Sequence, residues 1–267
     1  MLSLGFSTAI GTQGFSWREQ KAVEGFEWIE LALGYCRDNS VATWEKNMKQ
    51  LQADYDTARK LGLKVWSIHL PYGGDMDLTE DVTNSEIVLW NLKRYVDATM
   101  YMKPHCYVTH AHGRTENFPQ EERNRFVENA HRNVAELSKY IAEKGAVLAV
   151  EGLPRTCIGN TAKECEHIIK DTKARICFDV NHMMHDTHEN FVKVLGGSIE
   201  TLHLSDYDLG DEKHWVPGDG KVNWKEIISL LSSVQYTGPL MFEVKFRKDG
   251  VTPTLQDVKN GFYKAIK

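Results

Sequence analysis

The chain has 267 residues, 42% hydrophobic and 26% charged, with a net charge of −5. That length buries one sizeable core, so a single domain over residues 1–267 is expected, and the acidic balance argues against a nucleic-acid partner. The start, Met1-Leu2-Ser3-Leu4-Gly5-Phe6, shows no basic leader or cleavage pattern, and no apolar run reaches membrane-spanning length, so a cytoplasmic address without membrane contact is expected.

In chain order, short apolar runs alternate with longer amphipathic stretches. Strands are expected at 2–8, 28–33, 64–69, 106–110, 146–151, 174–179, 201–205 and 240–244. Between and after them come helices: a weak pattern at 16–23, then 43–61, 85–102, 120–144, 161–170, 188–195, 223–233 and 255–266. In the third long helix Phe126, Ala130, Val134, Leu137 and Ile141 recur at three- and four-residue steps and predict one buried stripe. Gly62 and Gly145 stand where left-handed caps would end helices and lead into strands. Eight strand–helix units predict an α/β fold of the (β/α)8 TIM-barrel type. The alternative, a doubly wound open sheet, would want a glycine-rich phosphate loop early on, and Gly11-Thr12-Gln13-Gly14 is too loose for one. Five cysteines without a C-x-x-C pair make no disulfide framework.

Six of the strands end on a polar group: His69, His110, Glu151, Asp179, His203 and Glu243. In a parallel barrel the loops after the strands gather at one rim, so these six converge. His182 follows just past the sixth strand, and Glu212 and His214 sit in the loop after the seventh. Two glutamates and an aspartate crowded on one rim repel each other and lose solvation unless a cation neutralises them, which predicts a bound divalent metal. The set Glu151, Asp179, His203 and Glu243, three carboxylates and one imidazole, suits Mn²⁺, Mg²⁺, Co²⁺ or Zn²⁺, while the lack of thiolates argues against a structural zinc site.

Other residues have two readings each. Arg155 and Lys245, just after the fifth and eighth strands, could grip a substrate phosphate or carboxylate, or close salt bridges on the rim. Trp215 could offer its ring as a wall for a sugar, and Glu30 could be a partnered inward carboxylate or the support of a ligand. The long charged loop 205–223 reads as a lid over the site or as a surface excursion. His105, His131 and His167 fall on the other rim or on helices and read as structural.

These runs, with Ile68-His69-Leu70-Pro71-Tyr72, Glu151-Gly152-Leu153-Pro154, Phe178-Asp179-Val180-Asn181-His182, Leu202-His203-Leu204-Ser205-Asp206, Pro217-Gly218-Asp219-Gly220 and Phe242-Glu243 in this order, resemble the xylose isomerase-like TIM-barrel superfamily over nearly the whole chain. The resemblance implies one divalent metal ion held by Glu151, Asp179, His203 and Glu243, with His182 turned to substrate. It implies isomerase or epimerase chemistry on a sugar or sugar phosphate, Glu151 and Glu243 moving protons on opposite faces of a carbon through a metal-stabilised enediolate. Homodimers or homotetramers are common among such barrels.

Two other reactions occur in the superfamily. One is dehydration of a polyol, as in inosose dehydratase; the other is endonuclease IV-type cleavage of abasic DNA by three zinc ions. The second would enlist His69, His110, His182, Glu212 and His214 as further ligands. Against it, Glu212 stands where that type has Asp, and Gly5-Phe6-Ser7-Thr8 lacks its histidine and paired glycines. The loop Gly34-Tyr35-Cys36-Arg37-Asp38-Asn39-Ser40 also lacks the basic and aromatic stretch that would engage a duplex.

Overall fold

Parallel strands covered by helices on one face and packed into a closed interior on the other need apolar residues at nearly every position, and the eight runs supply them. In a computed structural model, which describes residues 3–9, 17–112 and 116–267, they form β1 (Leu4–Ser7), β2 (Trp28–Ala32), β3 (Lys64–His69), β4 (Cys106–Thr109), β5 (Val147–Glu151), β6 (Arg175–Asp179), β7 (Ile199–His203) and β8 (Leu240–Phe242). All pair in parallel, in the order β7-β6-β5-β4-β3-β2-β1-β8. β8 closes on β1 with Leu4 opposite Leu240 and Phe6 opposite Phe242. The last seam, between β7 and β8, is held by a single bridge, Leu204 to Phe242, where the Leu204 amide donates to Met241 and the Glu243 amide to Leu204. The expected TIM barrel is present.

Among the described residues seven α-helices cover it: α1 (Val41–Lys60), α2 (Ser85–Thr99), α3 (Gln120–Glu143), α4 (Ala162–Ile169), α5 (His188–Leu195), α6 (Trp224–Ser233) and α7 (Leu255–Ala265). Their starts are written in short polar side chains. Ser40, Thr161, Thr187 and Asn223 each accept from the backbone three residues on, and Thr254 with Asp257 makes a reciprocal capping box. Gly62 and Gly145 take φ of 75° and 85°, as their places before β3 and β5 require. The α3 stripe from Phe126 to Ile141 is buried. No helix among the described residues is long and apolar enough to cross a membrane.

The expected helix at 16–23 is corrected. Its first residue and the Gly11-Thr12-Gln13-Gly14 loop lie outside the described residues, and 17–25 forms turns. Trp17 and Phe26 both pack on the Phe6 ring, at 5.8 and 5.5 Å, so this segment plugs the barrel wall with individual rings rather than laying down a helical stripe.

The interior alternation positions the site. Val108, Ala149 and Cys177 form their own small buried cluster, each two residues below His110, Glu151 and Asp179. Because strand side chains alternate between faces, a small residue in the barrel and a polar ligand at its mouth share one side of each strand. A register shift in β2 between Ile29 and Glu30 sets Glu30 opposite Ser67, whose hydroxyl donates to it at 2.7 Å.

Candidate functional site

At the strand ends, ligand atoms of Glu151, Asp179, His203 and Glu243 lie within 4.8 Å of one another, all four residues buried. Three further triads adjoin this set: His69–His110–Glu151 and His182–Glu212–His214 at the mouth, and Glu151–Cys177–His203, which brings one buried thiol to it. Every histidine and carboxylate named from the strand ends and the seventh loop is thus brought into one site.

The imidazoles are fixed by what their other nitrogens bond. His69 Nδ1 lies 2.8 Å from the Leu70 carbonyl, His182 Nδ1 2.9 Å from Gly152 and His214 Nδ1 3.1 Å from Glu243, so each Nδ1 donates to the backbone. That leaves each Nε2 lone pair for the site: His69 Nε2 is 3.1 Å from a Glu151 oxygen, and His214 Nε2 2.7 Å from Glu212. His203 is turned the other way. Its Nε2 donates to Glu30, 3.1 Å away and fully buried, so Nδ1 faces Glu151 at 3.3 Å and Glu243 at 3.4 Å. Rings held this way present lone pairs inward in a set tautomer, as metal-ligating histidines do.

Electrostatics tests whether a cation fits. His203 Nδ1 and Asp179 Oδ2 are buried without a hydrogen-bond partner. An imidazole lone pair turned toward carboxylate oxygens, and a carboxylate oxygen without a hydrogen-bond donor, are costly when buried, and a positive ion would satisfy both. Burial and the neighbouring Glu151 and Glu243 push the Asp179 carboxyl up to about 7, against the pull of His182. Although burial opposes it, Cys177 and the surrounding carboxylates push His203 well above the usual histidine range, and Asp179, Glu151 and Glu212 do the same to His182. Without a metal the cluster draws in protons; the donor set fits a divalent cation.

Around this centre is a cavity of about 260 Å³, lined among others by Tyr72, Lys245 and all the histidines named except His203. Arg155 closes rim salt bridges, Nε to Asp211 at 2.9 Å and NH1 to Glu212 at 2.7 Å. Burial works against Glu212 ionising, but His182, His214 and Arg155 surround it and hold its carboxyl far below the usual range. Lys245 reaches the cavity, whereas Trp215 is not among its lining residues: its backbone pairs with Asp206 and Phe246, and Lys248 lies over its ring at 5.7 Å. His105 is stacked on Trp66 and bonded to Glu200, His131 meets the Ile168 carbonyl, and His167 pairs with Glu128, all away from the site.

The loop after β7 is tethered. Buried Asp206 accepts from the amides of Tyr207, Gly218 and Val222 and from the Trp224 indole, pinning both limbs, so the described loop is a fixed wall. Three contributors carried no assigned role in the sequence. Tyr72 stacks on His110 at 3.8 Å, Asn181 accepts from the amides of Lys213 and His214, and Asp206 pins the loop. Tyr72 follows His69 by three residues and Asp206 follows His203 by three, a position just past a strand end that was the available signal.

Residues 20–264 match the family described as xylose isomerase-like TIM barrel. The chain is 31% identical over 121 residues to a D-psicose 3-epimerase of Enterocloster bolteae, covering 43% of this chain and 38% of that protein. The matched stretches span less than half the length of the curated relatives, 46% and 38%. A D-tagatose 3-epimerase-like protein superposes with a TM-score of 0.77 at 18% identity, over 99% of this chain and 98% of the other. An IOLI protein with a bound zinc atom gives 0.77 at 15% identity, over 99% and 98%. At such identities the solved structures speak for the fold.

Proposed function

The chain belongs to the xylose isomerase-like TIM-barrel family, and from that premise we propose that it is a divalent-metal-dependent isomerase or epimerase acting on a sugar or sugar phosphate by proton transfer. The observation that carries this reading is the buried Glu151–Asp179–His203–Glu243 set with the His203 Nδ1 lone pair turned into it by Glu30. These four residues would hold the ion. What a bound divalent ion supplies is Lewis acidity toward a carbonyl and its neighbouring hydroxyl, which makes the intervening C–H acidic enough for a carboxylate to remove.

The protein's own groups do the rest. Glu151 and Glu243 come from β5 and the end of β8, two separate walls of the cavity, so one can take the proton and the other return it. Glu151 Oε2 lies 3.1 Å from His69 Nε2 and 3.2 Å from His110 Nε2, so a proton carried on either nitrogen orients it and stabilises its charge. His182, 5% exposed at its side chain, lies between Glu151, Asp179 and Glu212, placed to hold a substrate hydroxyl. The D-psicose 3-epimerase relative and the D-tagatose 3-epimerase-like fold neighbour support sugars as the substrate class. Deuterium uptake from heavy water into a panel of ketoses tests the reading. Uptake that requires added Mn²⁺, Co²⁺, Mg²⁺ or Zn²⁺ is expected, and a panel silent under every metal would overturn it.

A second reading is favoured by one specific observation: three histidines outside the first set, His69, His182 and His214, are also locked by backbone carbonyls with lone pairs inward. Up to three Zn²⁺ could then bind, and phosphodiester hydrolysis on abasic DNA becomes the alternative. Metals counted per chain by elemental analysis separate the two, one ion favouring the isomerase. Dehydration of a polyol uses the same single-ion site and would show as loss of water in the product mass.

A further inference from the structure

The cavity over the candidate metal site does not end at its own wall. A second chamber of about 300 Å³ adjoins it, and Tyr72, His110, His182 and Glu212 line both. Each chamber alone is small for a ligand site, whereas the two together reach the ordinary range for one. The outer chamber's remaining walls are Tyr35, Leu153, Pro154 and Arg155 with His112 and Cys157.

The chemistry of these walls differs from that of the inner site. Tyr35 is 57% exposed, a large fraction for an aromatic ring, yet its position is fixed. Its edge meets Tyr72 at 6.0 Å, its backbone bridges to Tyr72, and its ring lies on Gly73, where any Cβ would collide with it. An aromatic face that is held in place and left open is prepared for stacking without further loss of freedom. Among the described residues, the one arginine or lysine lining the outer chamber, Arg155, is already taken by Asp211 and Glu212, and the Glu212 carboxylate is itself part of the lining. With its arginine spent and a carboxylate in the wall, the chamber favours a neutral ring over a phosphate.

Building on the proposed sugar chemistry, we propose that the preferred substrate is a glycoside whose reacting ring itself carries the carbonyl, rather than a free or phosphorylated monosaccharide. Its reacting sugar occupies the inner chamber beside Glu151 and Glu243. Its second, uncharged ring lies in the outer chamber against Tyr35 and Tyr72, above Pro154. Tyr35 is then a specificity-determining residue: it grips the aglycone and has no part in proton transfer.

The test is binding, read apart from turnover. Metal-loaded protein is titrated with phenyl and methyl β-D-glucopyranoside and with glucose 6-phosphate, followed by saturation-transfer NMR. The phenyl glycoside is expected to bind about five-fold more tightly than the methyl glycoside, the size of one good aromatic contact, with the strongest saturation on the phenyl protons. In Tyr35→Ala that ratio should collapse toward one, while Tyr35→Phe should keep it. Equal binding of the phenyl and methyl glycosides, an unchanged ratio in Tyr35→Ala, or tighter binding of the phosphate overturns the inference. The proposed reaction fails separately, through the absence of deuterium uptake into any sugar or glycoside.

Discussion

Glu151 is the most heavily contacted group of the site: four imidazoles, His69, His110, His182 and His203, lie within 3.3 Å of its two oxygens. A carboxylate so placed is held in one orientation, which proton transfer needs and which a helix cap would not produce. Glu151→Gln and Glu243→Gln are each expected to lower turnover about 10²–10⁴-fold with an unchanged circular dichroism spectrum. Glu30→Gln touches no substrate but removes the anion that fixes the His203 tautomer. It should weaken metal binding by about 10–100-fold, read by competition with a chelating dye. The strand-end residues were legible because six of the eight barrel strands repeat the same pattern, an apolar run closed by a histidine or a carboxylate. The role of Glu30 was only half legible. Its side of the strand depends on a register shift at Ile29/Glu30, and pairing slips leave no mark in composition.

Among the elements, the eight strands and the seven longer helices follow their apolar periods closely, and the caps at Ser40, Thr161, Thr187, Asn223 and Thr254 stand where short polar residues precede each pattern. The segment after β1 departed because Trp17, Val23 and Phe26 are buried one by one against the barrel, which gives apolar residues without helical spacing. The β7 loop was legible in length but not in state, since one aspartate with four donors turns a long loop into a wall. Asp206→Ala leaves three amides and an indole unpaired inside, and should cost more than about 3 kcal/mol in urea unfolding. At the opposite rim Glu200 binds His105 at 2.6 Å and Arg175 at 3.2 Å, joining β7 to β6 and to the entry of β4. Its carboxyl is held below the usual 4.5, by the His105 bond first and against some burial. A depressed folded-state value stabilises above the unfolded one and is lost as pH falls through it. The stability gap between wild type and Glu200→Gln should therefore be full at neutral pH and close below about pH 4.5, followed by thermal melts from pH 3 to 7.

For the whole molecule, the site's charge balance ties metal to fold. Three carboxylates and an orphaned imidazole nitrogen at the barrel mouth must be neutralised by protons or by an ion, so chelation with EDTA is expected to lower the melting temperature by several degrees. Restoring the ion at 100 times its dissociation constant returns about 2.7 kcal/mol. Binding should also release protons into a weakly buffered solution, as His203 and His182 give up what the carboxylates had drawn in.

The seam between β7 and β8 gives this coupling a location. Seven of the eight joints in the wall are ladders of several paired residues, whereas this one is a lone bridge, and the two residues that flank it, His203 and Glu243, reach toward each other from opposite staves. An ion gripping both would serve as the hoop of the cask. Amide exchange in 199–204 and 240–244 should slow on metal loading more than in β3 or β4, and the barrel would be expected to open first along this line when the ion is stripped.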